Sequence, residues 1–517
     1  MTTARSHTRF SPVGERAAVF WSGCALVSIG IILHLPMLVH AHRMGDNRLA
    51  GMPMDGSMAA GMACILLGVP LACWGTLPRH RTPHADSART NYEAQDSTPL
   101  GRWHAAVLLV LTLGLVIDVM KPATLGFVLP GLTAEYGIER STAALLPLVA
   151  LTGTTLGSFL WGWLADIYGR RVSILLSTIL FASTAICGAM PSFAWNVVMC
   201  FLMGLSAGGM LPVVYTLLAE VMPPRHRSWV LVLVGGTGLI GGYLAASAAA
   251  HAFEPAYGWR VLWLQGFPSA LLLLALARFI PESPRFLAEQ SRFEELALME
   301  DRFGIVPSNA MPRPSGRFVA QDRHRGLTFA LAIAALAWSF VNFGLLLWLP
   351  SDLQARGYSA ELASGILARS ALFALPTIGI AAWAYSRWSS KWTLVATVAI
   401  TTAGLAGALL PPAILTSPTL LIGVIGLLIV GTNGMIAVLL PYTAENYPLG
   451  SRGRATGLVA GSSKFGGVAV QGFALFGLIP TLGSAALALL LPMAAAAGLI
   501  AWAGRETRGL SLRELEA

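Results

Sequence analysis

One apolar segment near residue 118 contains two opposite charges. It reads Leu115-Val-Ile-Asp118-Val-Met-Lys121-Pro122. A charge in mid-bilayer costs at least about 2.5–3.5 kcal/mol on insertion scales, so charges there usually have a function. Asp118 and Lys121 are three positions apart, hence on one helix face, where they can neutralise each other. We predict that Asp118 is a proton site with Lys121 as its partner, and that Lys121 can also receive an anionic substrate. The alternative is a self-compensating structural pair.

Two further cations, Arg369 and Lys464, also lie inside apolar stretches. A cation at this depth can bind a carboxylate, although a long side chain can also reach the membrane interface. Polar and aromatic side chains of other apolar stretches can line the same cavity, although helix packing explains any one of them equally well. The candidate substrate cavity comprises Tyr215, Gln265, Asn342, Trp348, Arg369, Asn433 and Lys464.

Membrane-spanning helices are needed to position these residues. Of the 517 residues, 55% are hydrophobic and only 11% are charged, and the mean hydropathy is +0.66. This composition excludes a disordered, fibrous or disulfide-rich secreted protein. Apolar runs long enough to cross a bilayer as helices fall at 17–41, 58–78, 104–130, 143–165, 172–190, 195–219, 229–252, 261–280, 327–350, 363–385, 393–412, 419–442, 455–477 and 483–503. We predict an all-α polytopic membrane protein with about 14 spans.

The positions of the basic residues predict the orientation of these spans. With both termini cytoplasmic, 25 Lys and Arg residues fall on the inside and 5 on the outside. Cytoplasmic loops carry such an excess, so the protein is expected in the cell inner (plasma) membrane with both termini inside. The net charge of +9 therefore reflects topology, and a nucleic-acid partner is not expected.

An internal repeat divides the chain into two halves. A shift of 225 residues superimposes Gly209 on Gly434 and Glu220 on Glu445, together with five further identities. Two parallel six-helix halves related by pseudo-two-fold symmetry are typical of transporters with a site at midplane between them. The predicted segments are a cytoplasmic N-terminus (1–16), two extra helices with a linker (17–102), a six-helix bundle (103–285), a cytoplasmic middle loop with short surface helices (286–326), a second bundle (327–503) and a tail (504–517). The two extra helices are expected to pack outside the core.

Several motifs of residues 103–517 resemble those of the major facilitator superfamily, in the expected order. They are Gly162-Trp-Leu-Ala-Asp166-Ile-Tyr-Gly169-Arg170-Arg171, Pro281-Glu-Ser-Pro-Arg285, Pro441-Tyr-Thr-Ala-Glu445-Asn-Tyr-Pro448 and Glu506-Thr-Arg-Gly509. The resemblance is to the sugar-porter branch and to metabolite (aromatic-acid) proton symporters. The chain departs from the family at Ile167, where a basic residue is usual. It departs again at 385–391, which keeps positive charge but lacks the glycines and the acid of the motif.

The resemblance implies that the motif residues latch and release the cytoplasmic side. Glycines permit a tight turn and close helix approach, and an acid can accept bonds from nearby arginines. The alternative is that these charges serve only topology and folding. The predicted gating residues are Gly162, Asp166, Gly169, Arg170, Arg171, Glu220, Arg227, Glu445 and Arg452.

We predict a secondary active transporter that moves a small organic, anionic metabolite by alternating access, with proton-coupled uptake. The alternatives are a proton-coupled exporter of drugs or a secreted metabolite, and a non-transporting solute sensor. No Walker loop, His-Glu-x-x-His helix or nucleophile elbow occurs, so an enzyme is not expected. His and Met residues between His34 and Met62 do not complete a metal site, and no cofactor is expected. The expected partners are the substrate, protons and the lipid bilayer, with the protein a monomer.

Overall fold

The computed structural model describes residues 16–44, 47–76, 91–308, 322–411, 414–415, 417–447, 449–479 and 481–508. Helices dominate these residues. Two long helices form an N-terminal hairpin: α1 (Ala17–Arg43) and α2 (Gly56–Thr76). The first half of the core follows with α3 (Arg102–Tyr136), α4 (Arg140–Tyr168), α5 (Arg170–Ala189), α6 (Phe193–Val221), α7 (Pro224–Tyr257) and α8 (Val261–Phe279).

The second half of the core repeats this plan. Two short helices, α9 (Pro284–Glu289) and α10 (Phe293–Phe303), connect the halves. The six helices of the second half are α11 (Gly326–Ala355), α12 (Ala360–Arg387), α13 (Ser390–Ala408), α14 (Pro418–Asn446), α15 (Leu449–Leu475) and α16 (Leu482–Ala503). Among the described residues, twelve helices are long and apolar enough to cross a membrane. The remaining two helices of the second half, the threonine-containing α13 and the glycine-rich α15, are less apolar than these twelve. The prediction of a helical polytopic membrane protein is confirmed.

Successive core helices run in opposite directions, so the connections alternate between two ends of the bundle. We call one end the basic face, because its connections after Tyr168, Val221 and Arg387 border Arg170 and Arg225. The other end, which holds the connections after Tyr136 and Ala189, is the opposite face.

Two core helices change their winding within the membrane region. The last six residues of α5, Thr184–Ala189, form a 3-10 helix. In α11 the segment Phe340–Leu346 is a π-helix, followed by a separate α-helical segment from Leu349. Such interruptions free backbone groups and often occur at functional sites.

The N-terminal hairpin packs through glycines. A side chain at Gly75 would meet the Phe20 backbone nitrogen at 2.3 Å, and one at Gly23 would meet the Ala72 nitrogen at 2.4 Å. Close backbone approach of this kind stabilises helix pairs in lipid. The hairpin rests against α5. Its loop contacts the core at the opposite face, where the Leu49 and Ala50 amides donate to the Glu135 carboxylate at 2.8 and 2.9 Å.

A small antiparallel sheet joins two connecting segments that lie far apart in the sequence. Strand β1 (Asn91–Ala94) comes from the linker after α2, and strand β2 (Ile305–Ser308) follows α10. The prediction of an all-α protein is therefore incomplete, because the structure also contains this two-stranded sheet. The short helices predicted for the middle segment are present as α9 and α10. Strands of four residues are too short to be predicted with confidence from hydrophobic alternation, and β2 shows none.

Candidate functional site

A cavity of about 410 Å³ lies between the two halves of the core. Helices α3, α4, α6 and α7 of the first half line it together with α11, α14 and α15 of the second. Towards the opposite face its wall consists of buried residues, including Phe127, Pro147 and Pro350. Towards the basic face the wall includes exposed Phe159 and Gly457. The exposed part of the cavity wall therefore lies towards the basic face, and the wall at the opposite face is buried.

Most of the cavity wall is apolar or aromatic. The rings come from six positions on five helices and on both halves: Phe127, Phe159, Tyr215, Tyr243, Trp338 and Phe343. The Trp338 indole nitrogen donates to the Thr432 carbonyl at 2.8 Å, which fixes its ring. Such a wall suits a small planar organic molecule better than a strongly hydrated one. Aromatic residues in apolar runs carry no sequence signal that separates cavity lining from packing. The sequence therefore did not predict the five rings other than Tyr215, namely Phe127, Phe159, Tyr243, Trp338 and Phe343.

Asp118 and Lys464 are the charged side chains among the described residues that line the cavity. Asp118 lies near the middle of α3 and is 6% exposed. Lys464 lies on α15, so the two charges belong to opposite halves, and each acts electrostatically on the other. The predicted proton-site residue Asp118 therefore faces the central cavity, with a cation across from it.

The expectation that Lys121 neutralises Asp118 is wrong. The Lys121 ammonium is fully buried and donates to the Phe181 carbonyl at 2.7 Å and to the Thr184 hydroxyl at 2.5 Å. These groups belong to α5 at its change from α to 3-10 winding. Residues three apart differ by about 60° around a helix. On α3 this offset directs Asp118 to the cavity and Lys121 to α5, where it cannot receive a substrate anion.

Four of the seven candidate cavity residues lie on the cavity wall: Tyr215, Asn342, Asn433 and Lys464. Gln265 and Trp348 are instead engaged elsewhere, because Gln265 donates to the Thr124 hydroxyl at 2.6 Å and the Trp348 indole donates to Gln471 at 3.1 Å. Arg369 is exposed on α12 and away from the cavity. The functional roles of the four wall residues remain predictions.

A charge cluster at the basic face joins the predicted gating residues of the first half. The Arg170 guanidinium lies 3.4 Å from Asp166 and 3.3 Å from Glu220. The Glu282 carboxylate, from the segment before α9, accepts hydrogen bonds from the Arg170 and Arg171 amides at 2.7 and 3.3 Å. Burial raises the pKa of the Glu282 carboxyl, and the amide donors offset part of that rise.

The two glycines of the first-half motif differ in their surroundings. Gly169 has a φ of 98°, and a side chain there would lie 2.4 Å from the Glu282 carboxylate. A side chain at Gly162 would meet open space. Gly169 therefore permits the close approach of Glu282, as expected of a motif glycine. The same expectation is wrong for Gly162, because no neighbour lies close to it.

Glu445 forms the centre of the second-half cluster. Its carboxylate accepts hydrogen bonds from Ser228 at 2.7 Å, Tyr385 at 2.6 Å and Thr507 at 2.7 Å. Ser228 belongs to α7, so its bond joins the two halves at the basic face. The Arg452 side chain lies outside the described residues, and its predicted gating role stays a prediction.

Two residues of the tail after α16, Glu506 and Thr507, contact this cluster and the start of α13. Glu506 accepts hydrogen bonds from the Ser390 amide at 2.9 Å and hydroxyl at 2.6 Å, and also from the Ser389 hydroxyl. Partial burial acts against ionisation, but these donors at the start of α13 hold the pKa of Glu506 at about 2. Helix N-termini bind carboxylates well because their amides are unpaired.

The chain is similar to transporters along most of its length. It is 27% identical over 446 residues to the niacin transporter NiaP of Acinetobacter baylyi, covering 81% of this chain and 98% of that protein. It is 29% identical over 436 residues to the 4-hydroxybenzoate transporter PcaK of Pseudomonas putida, covering 77% of this chain and 92% of the relative. These relatives are transporters and not enzymes.

Solved structures show the same fold. A partially occluded, inward-open structure of the xylose transporter XylE from E. coli superimposes with a TM-score of 0.63 at 16% identity, covering 80% of this chain and all of that one. The family model described as Major Facilitator Superfamily matches residues 111–471, which include both halves and the cavity between them. The resemblance of the motifs is thereby confirmed, and the chain belongs to the Major Facilitator Superfamily of membrane transporters.

Proposed function

We propose that this protein carries a small aromatic monocarboxylate by alternating access and that movement of the substrate is coupled to protons. The proposal rests on the composition of the central cavity. One carboxylic acid and one cation face each other there, within a wall of aromatic and aliphatic groups. An apolar wall accommodates an aromatic ring, and the cation accommodates a carboxylate.

The relatives favour this class of substrate. Niacin and 4-hydroxybenzoate, named for two of them, are each one aromatic ring bearing one carboxylate. The cavity offers rings from both halves and polar groups such as Asn342 and Asn433 at the same level. A substrate of this shape can contact both halves at once, which transport by rocking requires.

Asp118 is the proposed proton carrier. Within the described residues its carboxylate has no hydrogen-bond partner, so it is available to protons that enter the cavity. The bond between Ser228 and Glu445 at the basic face, and that from Arg140 to the Ser351 carbonyl at 3.2 Å at the opposite face, are proposed to break and re-form as the halves rock. Movement of the charge cluster around Arg170 would accompany this change.

The location and state of the protein complete the proposal. The excess of basic residues favours a cytoplasmic basic face in a bacterial-type plasma membrane. We expect a monomer, because each chain contains both halves and a whole cavity between them.

Purified protein in liposomes tests the proposal. With an inside-alkaline pH gradient, radiolabelled 4-hydroxybenzoate or nicotinate should accumulate above its external concentration, and a protonophore should abolish accumulation. Efflux against the same gradient would indicate the exporter. Substrate binding without flux or counterflow would indicate a sensor. Absence of binding and flux for both acids would overturn the proposed substrate class.

A further inference from the structure

The two charged residues of the cavity, Asp118 and Lys464, have no close polar partner, although most of the surrounding wall is apolar. Within the described chain neither the Asp118 carboxylate nor the Lys464 ammonium makes a hydrogen bond or a contact ion pair. Each of the two residues is nevertheless the charged group that acts electrostatically on the other. Buried charges are normally paired closely, because an unpaired charge in an apolar site is costly. Each of these charges therefore remains available to a charged ligand in the cavity that both of them line.

We propose that Lys464 binds the carboxylate of the substrate and that ionised Asp118 competes with the substrate for this cation. The inference rests on the proposed function and assigns a mechanism of coupling to the same cavity. When Asp118 is ionised, it neutralises Lys464 and repels an incoming anion. When a proton neutralises Asp118, the positive charge of Lys464 is left to the substrate carboxylate. One proton and one anion then occupy the site together.

Coupling follows from this competition without any further moving part. If a proton on Asp118 strengthens anion binding, then the anion must strengthen proton binding by the same factor. Because the two charges belong to opposite halves, their attraction favours closure of the halves over an empty site. When both ligands are bound, Asp118 is neutral and the substrate carboxylate balances the charge of Lys464, so closure again leaves no net charge in the cavity. A site that holds only the anion, or only the proton, retains an unbalanced charge in an apolar cavity. Transport of one ligand without the other is therefore disfavoured.

Other ionisable groups do not provide this competition. A tyrosine phenol ordinarily loses its proton only near a pH of about 10. Tyr215 and Tyr243 on the cavity wall therefore stay neutral between pH 5.5 and 8.5. Lys121 is turned away to α5. Nor is another acid or base present among the described residues of the wall. The pH dependence of anion binding should thus reside in Asp118, and the anion specificity in Lys464.

Equilibrium binding by calorimetry between pH 5.5 and 8.5 tests the inference on protein in lipid nanodiscs. The probes are 4-hydroxybenzoate with its uncharged amide, and nicotinate with nicotinamide. For the parent, affinity for each acid should fall as the pH rises, whereas affinity for the amides should not. Asp118→Asn should bind the acids with an affinity that no longer depends on pH. Lys464→Met should weaken binding of the acids about tenfold or more, the scale of one charge-assisted hydrogen bond, and leave the amides within about twofold.

Two variants serve as controls. Lys464→Arg should retain most acid binding because it keeps the charge, and Lys391→Met removes a lysine at the basic face and should behave like the parent. Unchanged acid binding by Lys464→Met, or equal weakening of acid and amide, would overturn the role of Lys464. Should Lys464→Met not fold, a pH dependence that persists in Asp118→Asn would overturn the competition. Failure of the parent to bind either acid would instead refute the proposed function.

Discussion

At the scale of single residues, the position of Asp118 gives the sharpest prediction for transport. Asp118→Asn imitates the neutral acid, so it should abolish accumulation against a gradient while exchange across the membrane partly survives. Exchange needs no net proton movement, whereas accumulation does. Uptake driven by a pH gradient and counterflow should be measured on the same liposomes. Accumulation at the parental level would show that another group carries the proton.

Lys121 should behave as a structural residue. Its ammonium satisfies the Phe181 carbonyl and the Thr184 hydroxyl where α5 changes its winding. Lys121→Met has a similar length but leaves both groups without this donor, and a lost buried hydrogen bond costs about 1–3 kcal/mol. We expect a lower melting temperature in detergent, with an unchanged pH profile of counterflow in the protein that remains folded. A shifted pH profile would instead connect Lys121 to the proton site.

Glu506 should stabilise the fold in a pH-dependent manner. Its pKa is about 2 in the folded protein against an ordinary value of 4.5. An acid with a lowered folded pKa contributes stability above its unfolded pKa, and this contribution is lost as the pH falls from about 4.5 towards 2. Glu506→Gln should therefore lower the melting temperature at pH 7, and the difference from the parent should shrink below pH 4.5. A difference that is constant with pH would assign the effect to lost packing.

At the scale of elements, the turn between α4 and α5 depends on one glycine of its motif. Gly169→Ala forces a side chain into a positive φ and against Glu282, and such backbone strain costs about 1–3 kcal/mol. Gly162→Ala is the matched control in the same motif. Its site is open and helical, where alanine is favoured over glycine by about 0.5–1 kcal/mol. Thermal unfolding should therefore separate the two variants in opposite directions from the parent, and equal effects would contradict this.

At the scale of the whole molecule, the N-terminal segment has two separable parts. The hairpin rests outside the core, and among the described residues α1 and α2 contribute nothing to the cavity wall. The following linker is integrated with the core, because β1 pairs with β2 and the Asp96 carboxylate accepts a bond from the Arg225 amide at 3.0 Å. Arg225 stands at the start of α7, three residues before Ser228 and its bond to the other half.

Two truncations should reveal this division. Removal of residues 1–90 should lower expression but leave transport detectable, since the cavity and β1 are retained. Removal of residues 1–100 also deletes β1 and Asp96, which leaves β2 unpaired and the start of α7 uncapped; an N-cap alone contributes about 0.5–2 kcal/mol. Transport per molecule in the membrane should therefore fall further in the longer deletion. Loss of all flux from the shorter deletion at normal membrane levels would show that the hairpin itself is needed.

The sequence by itself determined the helical membrane architecture, the repeat of six helices and the family. Span length, hydropathy and motif spacing are local properties, and each can be read from a few dozen consecutive residues. Asp118 could be singled out in the same way, because a charge inside an apolar run is conspicuous without any knowledge of its neighbours. The short strands β1 and β2 could not, since each acquires its pairing from a segment about two hundred residues away.

Only the tertiary structure decided which side chains share the cavity. Asp118 faces Lys464 and not Lys121, because an offset of about 60° around α3 separates the side facing the other half from the side facing α5. Likewise Gln265, Trp348 and Arg369 have the same residue types as cavity candidates but point elsewhere. In a helix buried on several sides, the sequence shows that a polar group needs a partner. Which partner it obtains depends on the rotation and packing of every neighbouring helix.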